Sequence, residues 1–179
     1  MRIVNQEVAA EAELERRARI DELTGLLNRK EILERLARFR HNRRQSDGEV
    51  AVLFCDIDHF KQINDNHGHR GGDAVLSALA RRRLDSTRQE GLVGRISGDE
   101  LLVALNRMPS LEAAEGIAEK LHAAARAPLE LSTGKVVPTL LIGVTLIHEG
   151  ESLDAVVERA DQAMYQAKQH GRDRVISFS

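Results

Sequence analysis

The stretch Val50-Ala51-Val52-Leu53-Phe54-Cys55 is an unbroken apolar run, and Asp56-Ile57-Asp58 follows it directly. A continuous apolar run of this length predicts a central strand that is buried on both faces. Carboxylates at the edge of an apolar core cost free energy unless something compensates their charge. The stretch therefore indicates the middle of the fold and a polar site at its end, although acid pairs of this kind are also common on protein surfaces.

Strand and helix patterns alternate around this central run. Helical periodicity covers 31–44, 74–84, 111–127 and 152–170. Further strands are predicted at 92–96, 101–105, 136–147 and 174–178, with Pro138 weakening the third of these. The link Ser97-Gly98-Asp99-Glu100 is typical of a hairpin. This order predicts an α+β fold in which helices cover a mostly antiparallel sheet.

The first twenty residues differ from the rest of the chain. Residues 4–20 contain no Gly or Pro, and Glu13 precedes Arg17 at helical spacing. Apolar residues are too sparse there for the helix to bury much surface by itself. We interpret this segment either as the end of a signalling helix or coiled coil, or as a plain leader helix. The sequence thus divides into a linker helix, 1–20, and a globular domain, 21–179.

Composition excludes several classes of protein. The 179 residues suit about one domain. Lys and Arg number 26 against 28 Asp and Glu, and aromatics make up 3%, so neither a general nucleic-acid binder nor a base-stacking surface is expected. Cys55 is alone, which excludes an internal disulfide framework. The apolar runs fall far short of the roughly 20 residues that span a bilayer. With no signal peptide visible, we expect a cytoplasmic protein without a membrane segment.

Two acidic pairs lie at the predicted ends of neighbouring strands. Asp56 and Asp58 follow the central strand, and Asp99 and Glu100 lie in the hairpin link. Two such clusters can share a hard cation such as Mg²⁺, which takes oxygen ligands and keeps substrate phosphates in its shell. No Walker A or GxGxxG motif is present.

Three cationic residues have the chemistry to bind the phosphates of such a substrate, Lys61, Lys168 and Arg172. Lys61 follows the first acidic pair closely. For Lys168 and Arg172 the alternative is a cationic last turn that complements the dipole of the final helix.

The polar, glycine-rich segment 64–73 offers a possible base-binding site. A carboxylate can accept two hydrogen bonds from N1 and the exocyclic amine of guanine, and an Asn amide can bond the other edge. Asn64 with Asp73 is therefore a chemically sensible guanine reader, although Asp73 could instead be the N-cap of the following helix. His67 and His69 are interpreted as ordinary loop histidines, because no Cys or third His lies nearby.

Several motifs recur here in the order and spacing of one family. The segments are 21–29 (DELTGLLNR), 56–65 (DIDHFKQIND), Gly68-His69, Gly72-Asp73, 95–101 (RISGDEL), 159–168 (RADQAMYQAK) and Gly171-Arg172. No single one is specific, but together they are. From about Asp21 to the C-terminus the chain resembles the GGDEF family of diguanylate cyclase domains.

The resemblance implies a βαββαβ core like that of class III nucleotide cyclases and polymerase palms. It implies that two GTP molecules condense to cyclic di-GMP and two pyrophosphates at a homodimer of facing half-sites. An upstream sensory domain is expected outside this chain. By resemblance, Mg²⁺ or Mn²⁺ is held by Asp56, the Ile57 carbonyl, Asp99 and Glu100. Guanine is read by Asn64 and Asp73, and the phosphates contact Lys61, Lys168, Arg172 and the backbone N–H groups around His59 and Phe60.

The chain departs from the family pattern at identifiable positions. Ser97 and Leu101 replace the first Gly and the Phe of the signature, so we expect activity that survives at a reduced level. The alternative is a degenerate domain that binds GTP as a regulatory module with little or no turnover. A mixed adenine–guanine product is disfavoured by Asp73. At the family's RxxD inhibitory site only Arg88 remains, because Gly91 replaces the Asp, and we predict no ordinary high-affinity product binding there.

Overall fold

The apolar run at 50–55 forms the middle of a five-stranded sheet in a computed structural model that describes residues 2–41, 48–87 and 91–179. The strands in chain order are β1 (Glu49–Ile57), β2 (Gly91–Ser97), β3 (Glu100–Met108), β4 (Leu129–Leu131), β5 (Gly134–Val136), β6 (Leu140–Leu146) and β7 (Arg174–Ser177). The large sheet has the order β2-β3-β1-β6-β7, in which only β7 runs parallel to its neighbour. The predicted α+β class with a mostly antiparallel sheet is confirmed.

In the described part of the chain five helices accompany the sheet, α1 (Arg2–Arg17), α2 (Arg29–His41), α3 (Phe60–Thr87), α4 (Leu111–Ala125) and α5 (Leu153–His170). The element order β1-α3-β2-β3-α4-β6 is the expected βαββαβ core. Ser110 and Ser152 cap α4 and α5, each accepting a hydrogen bond from a backbone N–H of the first turn. Among the described residues, none of the helices combines the length and apolar character that crossing a bilayer requires.

Burial on both faces of β1 explains its unbroken apolar sequence. Leu53 and Cys55 point into a cluster that includes side chains of α3 and α4. Val52 and Phe54 point into a second cluster on the opposite face, which includes side chains of α2 and α5. Successive residues of a strand point to opposite faces. A strand covered by helices on both sides therefore needs apolar residues throughout.

The prediction of a single strand at 136–147 is wrong. The structure divides it into β5 and β6, separated by a segment that contains Pro138. Proline has no backbone N–H to donate to a ladder, so the pairing is interrupted there. β5 pairs instead with β4 in a separate two-stranded sheet, and the three-residue length of β4 leaves little periodicity from which to predict it.

The helix predicted at 74–84 begins much earlier than expected. α3 starts at Phe60 and includes the glycine-rich segment 64–73, with a kink at Gly68, whose φ of 74° and ψ of 170° are not helical. Glycine adopts positive φ without the steric cost that a Cβ would bring. Asp73 thus lies inside the second part of a kinked helix, and its interpretation as an N-cap is wrong.

Helix α1 is exposed, and its apolar side chains are not part of the hydrophobic core. Its apolar side chains Ile3, Val4, Val8 and Leu14 are each at least 60% exposed. Glu13 forms the expected ion pair with Arg17 and a second one with Arg16. For α2, the described part ends at His41, and 42–44 of the predicted helix lie outside the described residues.

Candidate active site

Asp56 and Asp99 lie together at one edge of the large sheet. Asp56 is buried near the end of β1, and Asp99 lies in the two-residue link between β2 and β3. The backbone N–H of Ile57 donates to the Asp99 carbonyl oxygen at 3.3 Å, which ties this link to the end of β1. Burial, together with the charge of Asp56 and a hydrogen bond to it, raises the pKa of Asp99 to about 6. The two carboxyl groups are close enough to repel each other when both are ionised.

Glu100 adds a third carboxylate to this edge. It is the register partner of Asp56 on β3, and it is half-buried. Burial raises the pKa of Glu100, and the charges of Asp161 and Asp56 add to the effect. The Ser97 hydroxyl opposes this by donating a hydrogen bond to Oε2 of Glu100 at 3.2 Å. The three acids form a concentrated negative site in a partly desolvated place.

Lys168 compensates part of this charge. Its Nζ forms an ion pair with Oδ2 of Asp56, and its charge also favours the ionised form of Asp99. Lys168 lies near the end of α5, so it satisfies the description of a cationic last turn as well. Its contact with Asp56 shows that it is directed at the acidic site. Arg172 lies four residues further along, half-buried in the turn between α5 and β7.

The donor set fits a divalent cation of the Mg²⁺ type. Such an ion prefers carboxylate and carbonyl oxygens, and it is usually bound by one or two carboxylates together with substrate phosphates. Asp56, Asp99 and Glu100 offer carboxylates, and the backbone of Ile57 lies beside them. Across 2–41, 48–87 and 91–179, no three His, Cys, Asp or Glu residues are arranged to hold a metal by themselves. The residues thus fit an ion whose shell a ligand completes, not a closed protein cage.

The turn from β1 into α3 presents a helix N-terminus beside this site. His59 is exposed and has a positive φ of 55°, and its carbonyl oxygen accepts from Ile63 N–H at 3.1 Å. Phe60 opens α3 and packs against the core. Lys61 follows on the exposed side of the first turn. Free backbone N–H groups at a helix start favour anions such as phosphate.

The kink of α3 brings Asn64 against the residue before Asp73. A Cβ placed on Gly72 would lie 1.9 Å from Oδ1 of Asn64, so the amide fits there only because residue 72 is glycine. Asn64 is half-buried and Asp73 is exposed. Asn64, before the kink, therefore lies beside the residue that precedes Asp73, after the kink. The sequence alone did not indicate this, because the segment was predicted as a loop.

Neither histidine of this segment lies in a metal-binding group among the residues described. Nδ1 of His67 is 2.7 Å from Oγ1 of Thr133, between β4 and β5. His69 is exposed. His67 is thus a packing contact between the kink and the small hairpin.

Arg95 is a structural determinant of the site that sequence reasoning missed. Its Nη2 donates to the Gly98 carbonyl oxygen at 2.9 Å, and its Nη1 bonds Oδ1 of Asp21 at 3.2 Å. Asp21 in turn accepts hydrogen bonds from the backbone and side chain of Thr24. The turn at 21–29 is thereby connected to the link that carries Asp99. Arg95 and Asp21 are 74 residues apart, and no local pattern predicts such a contact.

The predicted degenerate inhibitory site falls partly outside the described residues. Arg88, with Gln89 and Glu90, is in that part of the chain. Gly91 is described as the first residue of β2, where a Cβ would lie 2.5 Å from the Ala104 carbonyl oxygen. A carboxylate side chain at position 91 would require the backbone of β3 to shift.

Similarity to known proteins covers almost all of the chain. The family described as "Diguanylate cyclase, GGDEF domain" matches residues 18–174. Diguanylate cyclase DgcP of Pseudomonas aeruginosa is 41% identical over 160 residues, which are 89% of this chain and 24% of that protein. Cyclic di-GMP phosphodiesterase NbdA of the same organism is 34% identical over 178 residues, which are 99% of this chain and 23% of that protein. The chain therefore spans about a quarter of the length of these two relatives.

A solved structure has the same architecture. The coiled coil and GGDEF domain of DgcB from Caulobacter crescentus, in complex with c-di-GMP, superimposes with a TM-score of 0.89 at 28% identity. The alignment covers 98% of this chain and 93% of that one. Agreement over this range includes α1 as well as the sheet and its helices.

Proposed function

The chain belongs to the GGDEF family of diguanylate cyclase domains, and we propose on this premise that it condenses two GTP molecules into cyclic di-GMP. One observation carries the proposal: Asp56, near the end of β1, and Asp99, in the link between β2 and β3, lie together beside the ammonium of Lys168. Repelling carboxylates next to a cation are suited to a bound ion and a polyphosphate. The relatives named diguanylate cyclases support the same reaction.

The proposed reaction joins the two nucleotides twice. The 3′ oxygen of one GTP forms a bond to the α-phosphorus of the other, the bond to pyrophosphate breaks, and the hydroxyl proton is released. The same exchange in the opposite direction closes the ring and releases a second pyrophosphate. Alignment of two substrates and neutralisation of charge account for most of the catalysis, so little covalent chemistry is required of the protein.

Mg²⁺ or Mn²⁺ is the proposed cofactor, held by Asp56, Asp99, Glu100 and the Ile57 carbonyl. When bound, such an ion polarises the α-phosphate and lowers the pKa of the attacking hydroxyl. The close approach of Asp56 to Asp99 supports this assignment, because it is costly without a cation. In the same scheme Lys168 exchanges part of its contact with Asp56 for a contact with phosphate.

The substrate contacts follow from the turn and kink of α3. Guanine is proposed to bind Asn64 and Asp73, whose carboxylate matches the two donors on the guanine edge. The phosphates are proposed to contact Lys61, Lys168 and Arg172. The backbone N–H groups around His59 and Phe60 assist, as expected of a helix N-terminus.

Each subunit is proposed to hold one GTP, so the working unit is a homodimer with facing half-sites. A subunit alone has no second nucleotide to attack. We propose that 1–20 is a linker helix and 21–179 is the catalytic domain, and that a sensory domain elsewhere controls the pairing. The domain is expected to act in the cytoplasm, with GTP as its substrate.

A regulatory GTP-binding module is the second candidate. Two observations favour it: NbdA, a relative over nearly the whole chain, is named a phosphodiesterase, and Ser97 and Leu101 depart from the signature. Leu101 is fully buried, so it acts in packing. Ser97 bonds Glu100, which leaves all three acids in place. The intact acidic site supports the cyclase over the module.

Product analysis distinguishes the two candidates. The purified protein is incubated with GTP and Mg²⁺, and nucleotides are separated by chromatography with Asp99→Asn as the matched control. A cyclase yields cyclic di-GMP and pyrophosphate in a ratio of one to two, and the variant yields none. Saturable GTP binding without pyrophosphate release, in protein whose fold is intact, would establish the module and reject the cyclase.

A further inference from the structure

The turn between α5 and β7 is held in an unusual backbone conformation. Gly171 has a φ of 139° and Asp173 a φ of 53°, so Arg172 lies between two residues with positive φ. A residue other than Gly pays a steric cost in the left-handed region, although Asp tolerates it better than most. Such a conformation persists when the surrounding contacts enforce it.

Asp58, directly after β1, holds the turn between α5 and β7 in this conformation. The backbone N–H of Asp173 donates to Oδ2 of Asp58 at 2.8 Å, and the hydroxyl of Thr139 donates to the same oxygen at 2.7 Å. Asp58 is 4% exposed, so these bonds are shielded from water. Since Asp58 is two residues beyond Asp56, the turn is fixed relative to the acidic site.

The side chain of Asp173 ties the same turn to α4. Its Oδ1 is 2.8 Å from Nε2 of His122, and its Oδ2 is 3.3 Å from Nη2 of Arg126. The side chain of His122 is 13% exposed and that of Arg126 is 53% exposed. Shielded hydrogen bonds to a carboxylate contribute more than exposed ion pairs do. His122 is therefore the stronger of the two partners.

We propose that His122 is a positioning residue for GTP: by holding Asp173 it fixes the turn that presents Arg172 to the phosphates. This inference rests on the proposed function, in which Arg172 contacts phosphate. His122 itself touches neither substrate nor metal in this scheme. Its effect passes through Asp173, whose backbone is bonded to Asp58 and whose φ sets the direction of the turn.

Two amide variants test the hydrogen bond without adding charge. Gln at position 122 places an N–H donor at about the reach of His Nε2, whereas the shorter Asn does not. We expect His122→Asn to raise both the KM for GTP and the Kd for a non-hydrolysable GTP analogue by about tenfold, the loss of roughly one good hydrogen bond. The kcat is expected to remain within about twofold of wild type, and His122→Gln to restore both constants. Asp173→Gly, which retains the positive φ and removes the side chain, should raise KM and Kd as His122→Asn does, even if the His122 variant folds poorly.

The outcomes separate this inference from the function on which it rests. A wild-type protein that binds the analogue and makes no product contradicts the cyclase, while the ratio of analogue affinities still tests the role of His122. Unchanged KM and Kd in folded His122→Asn and Asp173→Gly overturn the inference and leave the cyclase standing. A loss of kcat alone, not restored by Gln, also overturns it. If the wild-type protein binds no analogue, both proposals fail.

Discussion

The Ser97 hydroxyl donates a hydrogen bond of 3.2 Å to Oε2 of Glu100, across the tip of the β2–β3 hairpin. Ser97 stands where the family signature has Gly, and this departure is one reason for the expectation of reduced activity. In the structure this exposed side chain bonds an acid of the site. The serine therefore supplies a contact that a glycine cannot make. Its hydrogen bond opposes the rise that burial causes in the pKa of Glu100.

Ser97→Ala is expected to lower the apparent affinity of the protein for Mg²⁺. Without the hydroxyl, Glu100 loses a donor that favours its ionised form and orients its carboxylate. We expect the Mg²⁺ concentration for half-maximal cyclic di-GMP formation to rise about threefold, in line with one exposed hydrogen bond. Ser97→Thr, which retains the hydroxyl, is the control. An unchanged Mg²⁺ requirement in Ser97→Ala means that the bond has no role.

Asp99→Asn is expected to stabilise the metal-free protein while abolishing turnover. The raised pKa of Asp99 shows that its charge is disfavoured in the fold, because it is partly buried beside Asp56. Above pH 6 the neutral amide removes that repulsion, so the thermal unfolding temperature without Mg²⁺ should rise by a few degrees. Mg²⁺ with a GTP analogue should stabilise the wild type more than the variant. A lower unfolding temperature for metal-free Asp99→Asn contradicts the proposed crowding of charge.

Of two glycine substitutions, one is expected to weaken the use of GTP and the other to stabilise the fold. In Gly72→Ala the new Cβ would meet Oδ1 of Asn64 at 1.9 Å, so the amide must move and the KM for GTP should rise at least about fivefold. Gly116→Ala in α4 has open space, and it should stabilise the protein by about 0.5–1 kcal/mol through helix propensity with KM unchanged. KM values for GTP and denaturant unfolding measure both. Equal KM values would argue against Asn64 as a guanine contact.

Asp21 is expected to make stability depend on acid pH. Burial raises its pKa, but hydrogen bonds from Thr24 and the charge and hydrogen bonds of Arg95 outweigh burial and leave the pKa of Asp21 below its ordinary value. A lowered pKa contributes stability that is fully present above the unfolded value of about 3.9 and is lost as pH falls through the folded value. We expect Asp21→Asn to cost about 1 kcal/mol at pH 7 and less at an acid pH below the unfolded value, where the wild-type carboxyl becomes protonated. Urea unfolding at both pH values tests this, and an equal cost at both would remove the charge from the explanation.

Local signals in the sequence predicted the sheet and the acidic edge. The apolar run of β1 predicts a buried strand, and the short glycine-containing link at 97–100 predicts the hairpin of β2 and β3. In the structure β1 pairs with β3, and Asp56 lies opposite Glu100. Residue types and short spacings sufficed for these features.

What the sequence did not indicate depends on contacts between distant segments. At the kink of α3, His67 lies close against Gly71 and Asn64 close against Gly72. The prediction of a loop for this segment gave no information about these contacts. The contacts of Arg95 with Asp21 and of Asp173 with Asp58 join residues 74 and 115 positions apart. Periodicity and capping rules describe neighbours along the chain, so they give no information about such pairs.

The central claim is that Asp56 and Asp99 hold one divalent ion beneath the triphosphate of GTP. The most direct test is a crystal structure of the full chain with Mn²⁺ and a non-hydrolysable GTP analogue, with the metal located by anomalous scattering. We predict an anomalous peak within about 2.0–2.4 Å of a carboxylate oxygen from each residue and of a phosphate oxygen. A bound analogue with no anomalous peak between Asp56 and Asp99, or with the metal held elsewhere, contradicts the account.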